Sequence, residues 1–155
     1  MAFALRRARA EDERTIKSMV RSANINPLGI HWQHFVVAED AGRIVGIGQI
    51  KSHGDGSHEL ASIATVPDRQ GEGIATAVIE ALLATEAATS SSPLYLTCRS
   101  YMGPFYERFG FRPVKRLAEM PPYFRWIMRI ARLLFAPAAI LGATAGGLVM
   151  VRKGM

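Results

Sequence analysis

Cysteine is nearly absent from this chain: Cys98 is the only one in 155 residues. A lone thiol excludes an internal disulfide framework and suits a reducing, cytoplasmic compartment. Residues 1–9 contain no apolar stretch of the kind a secretory leader needs, so none is expected. Basic runs interleaved with aromatics, zinc-finger spacings and RNA-binding motifs are also missing, which argues against a nucleic-acid partner. His31 and His34 are spaced like metal ligands, yet no nearby carboxylate or cysteine completes a set, and no metal is expected.

Acidic residues are the scarcer charge, 13 against 19 basic ones, which gives a formal net charge of +6 and a pI near 10.0. Fifteen of the basic residues are arginine. Such a balance is compatible with nucleic acid, an anionic membrane surface or a polyanionic cofactor. Apolar residues make up 49% of the chain and charged ones 21%, so disorder is not the default and residues 1–155 read as one domain with a real core.

The stretch that organises the chain is 59–80, E-L-A-S-I-A-T-V-P-D-R-Q-G-E-G-I-A-T-A-V-I-E. Its first half is a run of small and β-branched apolar residues closed by Pro67, the pattern of a buried strand. From Gly73 onward, Ala75, Val78, Ile79 and Leu82 fall on one helical face. A strand that passes through a glycine turn into a helix leaves main-chain N–H groups pointing into the turn with the helix dipole behind them, and that suits a phosphate. A nucleotide P-loop would need Gly-Lys-Ser/Thr, whereas Gly73 is followed by Ile74 and Ala75. A dinucleotide fingerprint would need glycine where Thr76 stands. A tight turn that merely uses glycine is the bland alternative.

The segment Q-G-E-G-I-A, residues 70–75, resembles the Gln/Arg-x-x-Gly-x-Gly/Ala signature of the GNAT superfamily of acyl-CoA-dependent N-acyltransferases. The rest of the chain reads in the same direction. A loose edge strand at 3–8 precedes a helix at 11–23 striped by Ile16, Met19, Val20 and Ala23. Strands at 33–39 and 43–51 are joined by Asp40-Ala41-Gly42, and a further strand is expected at 93–98. A helix is expected within 102–111, with Pro104 in its first turn and Gly110 at its stop, followed by a short strand around 111–114. The order β-α-β-β-β-α-β-α-β and the run F-Y-E-R-F-G-F are similar to that superfamily over 3–114 and the final strand, 147–152. The resemblance implies an α+β fold, a mixed and mostly antiparallel sheet flanked by helices, with strands 4 and 5 splayed.

Residues 115–146 depart from that pattern as an apolar insertion before the last strand. Arg125, Arg129 and Arg132 line one narrow helical face, and Phe124, Ile127, Met128, Ala131, Leu134 and Phe135 line the other. No charge occurs from 133 to 151, a run of 19, against the ~20 residues that span a bilayer. Pro137 and glycines 142, 146 and 147 argue against a span. Burial, a homodimer contact and peripheral membrane association through 121–141 stay open.

The resemblance also implies roles. Acetyl-CoA would be the co-substrate, its pyrophosphate held by main-chain groups of Gly71, Gly73, Ile74 and Ala75, with Arg69, Gln70 and Glu72 in the same turn. Its pantetheine arm would pair with Ala64, Thr65 and Val66. Glu59 would be the base that deprotonates a primary amine, or a solvated strand-end charge. His53 and His58 are fallback bases with pKa values naturally nearer neutrality. Tyr106 would protonate the departing thiolate, or be a core aromatic. Arg99 and Ser100 stand where the family often has an asparagine, so Ser100 is a candidate contact to the coenzyme and Arg99 a candidate for a substrate carboxylate. Trp32 and His34 would line the acceptor pocket, or pack. The stretches L-T-C-R-S-Y-M-G-P-F-Y-E-R-F-G-F and E-D-A-G-R-I-V-G resemble the amino-acid-acetylating branch that includes N-acetylglutamate synthase, which implies a small amino-acid-like amine. A non-catalytic module that holds coenzyme A or docks on a membrane or partner is the competing class.

Overall fold

The computed structural model describes residues 2–140 and 147–154, the side chains of 135–140 excepted. Two compact units divide the chain: residues 1–51 with 60–90, and residues 52–59 with 91–155.

The first unit carries strands β1 (Ala4–Arg7), β2 (Phe35–Asp40), β3 (Arg43–Ser52) and most of β4 (His58–Thr65), with helices α1 (Glu13–Ser22) and α2 (Ile74–Thr89). β1 pairs antiparallel with β2 from Ala4↔Glu39 to Arg7↔Val36, and β2 with β3 through a two-residue hairpin at Ala41 and Gly42, φ 48° and 79°. Both positive values match the twist that a tight hairpin demands. Ile16, Val20, Phe35, Val37 and Ile47 form the core of this unit. Gly46 and Gly48 let α2 lie directly on β3: a Cβ on Gly48 would stand 2.6 Å from Ile63 and 2.8 Å from Val78, and one on Gly46 would collide with Ile74. The start of α1 is tied down by Asp12, which accepts Arg9 N–H at 2.7 Å and Arg6 Nη1–H at 2.7 Å.

The second unit carries β5 (Leu94–Arg99), α3 (Gly103–Glu107), β6 (Arg112–Pro113), α4 (Pro122–Ile140) and β7 (Gly147–Arg152). β5 and β7 pair antiparallel over six residues, Leu94↔Arg152 to Arg99↔Gly147, and β6 adds to the far side of β7. The parallel pair β4–β5 has two register steps, His58↔Leu94 and Glu59↔Tyr95, after which the strands splay. The full order is β1-β2-β3-β4-β5-β7-β6, the mixed, helix-flanked sheet expected from the sequence. Val114, Met120, Phe124 and Val149 form the second core, with Tyr95, Tyr123 and Met128 packed against it.

Local boundaries differ where turn chemistry overrides periodicity. Gln33 and His34 lie in a 3-10 turn, Trp32–His34, rather than in a strand, because His34 N–H bonds His31 O at 3.0 Å. The helix expected within 102–111 shrinks to five residues. It ends where Phe109 N–H and Gly110 N–H turn back to Tyr106 O and Glu107 O, with Gly110 at φ 89°. In α4, Phe124 is fully buried, while Trp126, Leu133 and Leu134 are 61%, 80% and 67% exposed. Leu134, which periodicity places on the same face as Phe124, is thus exposed where Phe124 is buried. The side chains of Phe135 and Pro137, and residues 142 and 146 altogether, lie outside the described residues.

Candidate active site

The turn between β4 and α2 is built almost entirely from main chain. Val66 N–H goes to Val45 O at 2.9 Å and Val66 O accepts Arg69 N–H at 3.0 Å, so both of its polar groups are engaged and the chain leaves the strand already bent. Pro67–Arg69 makes one 3-10 turn, and Gly71 and Gly73 follow at φ 83° and 80°, values that favour glycine because a Cβ would be strained. Gly73 is the residue before α2 and brings no side-chain cap to the amides of the first turn. At both glycines the position a Cβ would take has nothing within 4 Å. Open room, uncapped amides and the positive end of a 16-residue helix together fit a diphosphate.

The charged side chains of this turn face one another. Arg69 is held by Glu72 and, at 2.7 Å, by Asp40, which together raise its pKa above the ordinary arginine range. Arg43 grips Asp68 with two hydrogen bonds of 2.8 Å and holds that carboxyl down at about 2. Arg69 and Glu72 thus stiffen the turn instead of reaching out from it. Gln70 is exposed, Ile74 buried and Ala75 half-buried, while Ala64 is buried and Thr65 half-buried at the end of β4.

Glu59 begins a different construction. Its side chain is 8% exposed, so it is no solvated strand end. Burying a carboxylate is costly without donors, and the donor here is His53, whose Nε2 lies 2.6 Å from Glu59 Oε2. Thr97 Oγ1 stands 3.5 Å from Oε1. The His53 ring stacks on Tyr123, centroids 3.5 Å apart and 16° between planes, and meets Phe124 edge-on. Asp55 closes the arrangement by accepting Ser57 N–H at 2.9 Å and Ser57 Oγ–H at 2.6 Å with Oδ1, and Tyr123 N–H at 2.9 Å with Oδ2. Burial works to raise the Asp55 pKa, and these donors outweigh it and hold the carboxyl below its usual range. Burial, then Glu59 and Asp55, push Tyr123 upward.

Tyr106 sits on α3 among Phe105, Phe109 and Phe111, with Arg108 lying over Phe105 at 5.4 Å. Burial, then the nearby Cys98, push its hydroxyl up to about 12, so it holds its proton throughout the neutral range. Burial raises the Cys98 thiol too, and at 4.0 Å from Met150 Sδ it behaves as a packed thiol rather than a nucleophile. Arg99 and Ser100 are exposed at the end of β5. Trp32 packs against the first core, and His34 is exposed with its ring 5.7 Å from that of His31. No group of three or more metal-ligating side chains occurs among the described residues.

Sequence reading named His53 only as a fallback base and did not see Asp55 or Tyr123 at all. For His53 a signal existed: Gly54, Asp55 and Gly56 predict a tight turn, and its closure, His53 N–H to Ser57 O at 2.9 Å, brings residue 53 back toward 59. Tyr123 is 68 residues from Asp55 and offered no local signal.

The chain belongs to the GNAT acetyltransferase family: residues 31–113, more than half its length, match the model of the acetyltransferase (GNAT) domain. No curated protein matches the sequence. Among solved structures, N-acetylglutamate synthase from Neisseria gonorrhoeae, complexed with coenzyme A and N-acetyl-glutamate, superposes with a TM-score of 0.77 at 18% identity. That match covers 100% of this chain and 36% of the synthase, so the chain spans about a third of that relative. Rv2747 from Mycobacterium tuberculosis, in complex with CoA, gives 0.73 at 23% identity over 98% of this chain and 99% of its own. Ard1 from Thermoplasma volcanium gives 0.67 at 14% identity over 100% and 99%. At these identities the likeness is one of fold.

Proposed function

We propose that this chain transfers the acetyl group of acetyl-CoA to the primary amine of a small amino-acid-like substrate. The observation that carries the reading is the glycine turn at 70–75, whose open room and uncapped amides suit a diphosphate. Two structural neighbours carry coenzyme A, one of them with N-acetyl-glutamate, which supports both the donor and the acceptor class. Acetyl-CoA, when bound, supplies a thioester-activated acyl group. Gly71, Gly73, Ile74 and Ala75 would hold its diphosphate through main-chain N–H groups, and Ala64 and Thr65 offer main-chain partners for the pantetheine arm.

Glu59, buried and contacted by His53, takes a proton from the amine. Tyr106, still protonated at neutral pH, gives its proton to the departing thiolate. Arg99, exposed at the end of β5, is the candidate partner for a substrate carboxylate. Thiol release from acetyl-CoA, measured over a panel of amino acids, polyamines and peptides, tests the reading. Turnover restricted to amino-acid-like amines, cut about tenfold to 100-fold by Tyr106→Phe, is expected. Coenzyme binding without turnover on any amine would refute it.

A second reading concerns α4. Trp126, Leu133 and Leu134 are exposed beside exposed Arg129 and Arg132, a mixture suited to lying on an anionic bilayer. No helix among the described residues is long and apolar enough to cross a membrane. Flotation with phosphatidylglycerol vesicles should carry the protein upward, and Arg129→Ala with Arg132→Ala should release it. Sedimentation as a dimer with no flotation would assign the face to a second copy instead.

A further inference from the structure

We infer that His53 is the positioning residue of the base, acting only through Glu59 and fixing which carboxylate oxygen receives the proton. The inference rests on Glu59 being the base, as proposed above. A carboxylate acting as a base has no hydrogen of its own, so the 2.6 Å contact has His53 Nε2–H donating to Oε2. Oε2 is thereby occupied. Oε1, which among the described residues has Thr97 Oγ1 at 3.5 Å, is the oxygen left to accept a proton.

The imidazole is itself held from several directions. Its residue closes the turn through His53 N–H to Ser57 O and Gly56 N–H to His53 O, both 2.9 Å. Its ring is stacked on Tyr123 at 3.5 Å and abuts Phe124 edge-on at 5.8 Å. Asp55 then binds the turn that carries His53 to the first turn of α4 that carries Tyr123. A carboxylate free to rotate would present either oxygen, and a base must stay aligned with the proton it removes. Two separate stretches of chain, the turn at 53–57 and the start of α4, thus hold the imidazole that contacts Glu59.

The step balances as follows: Oε1 of Glu59 gains one proton from the amine nitrogen as the N–C bond forms and the C–S bond breaks, and the sulfur leaves with the proton of Tyr106. His53 ends with the hydrogen it started with.

Four variants separate this role from a structural one. His53→Phe keeps a ring to stack on Tyr123 and loses the N–H donor, whereas His53→Gln loses the ring and keeps an N–H near Nε2. Glu59→Gln and the double variant Glu59→Gln/His53→Phe complete the set, with kcat, KM for acetyl-CoA and melting temperature read on each. Expected are a kcat loss of about 100-fold for Glu59→Gln and about tenfold for His53→Phe at unchanged KM. His53→Gln should recover most of the rate, and the double variant should be no slower than Glu59→Gln alone. A His53→Phe enzyme at wild-type kcat beside a slow Glu59→Gln would overturn the inference and leave the base intact, as would a double variant that loses the further tenfold. Wild-type kcat in Glu59→Gln would sink the base assignment itself, and the inference with it.

Discussion

The glycine turn at 66–75 and the nook around Glu59 reach their chemistry by opposite means. In the turn, side chains are kept away: Gly71 and Gly73 open the surface, and Arg69, Glu72 and Asp40 are spent on one another. In the nook, His53 and Thr97 contact one carboxylate, and His53 is in turn stacked on Tyr123, whose N–H Asp55 holds, so three stretches of chain meet there. A site made of main chain needs only a local conformation, which a handful of neighbouring residues can dictate. A site made of side chains needs the tertiary fold to exist first.

Two further experiments sharpen that contrast. The larger effect is expected in the turn: Gly73→Val imposes a β-branched residue at φ 80°, a strain of about 1–3 kcal/mol. Because the strain falls on the amides proposed to hold the diphosphate, KM for acetyl-CoA should rise about tenfold while kcat holds, 1.4 kcal/mol being a factor of about ten. An unchanged KM would mean that the turn does not carry the coenzyme.

The smaller effect is expected at Asp55, which acts as a cap delivered from a distant loop to the start of α4. Asp55→Asn weakens the cap, and chemical denaturation at pH 7 should show a loss of about 1 kcal/mol. Since the folded pKa of Asp55 lies below its usual value, its carboxylate stabilises the fold above the ordinary carboxylate range, and that contribution is lost as pH falls through the depressed value. The gap between wild type and variant should therefore be full at pH 7 and close as pH falls through the depressed value. A gap independent of pH would separate Asp55 from the cap.

What could be read from the sequence follows the same division. The glycine spacing, Pro67 and the apolar stripe from Ala75 to Leu82 are local, and they place β4 and the start of α2 to within a residue. Glu59 could be named, but whether it is solvated or buried could not, because its burial depends on α4 and on the turn at 53–57. Gly46 and Gly48 passed unremarked within an isoleucine-rich strand, although they are what let α2 rest on β3. Periodicity put Leu134 on one face with Phe124 and left open what covers that face. The fold instead buries Phe124 near the start of α4 and leaves Leu133 and Leu134 exposed.

The bond from Asp55 to the amide of Tyr123 bears on anyone trimming this chain. Its greasy tail is an obvious target for removal to improve handling, and a cut before Pro122 would look harmless by the usual criterion of sparing the recognised motifs. Such a cut would strip away the ring under His53, the partner of Asp55 and the strand β7 that pairs with β5, although the glycine turn and Tyr106 would remain. A shortened version should keep both Pro122–Met128 and the closing strand β7, so that the start of the helix and the partner of β5 travel with Glu59.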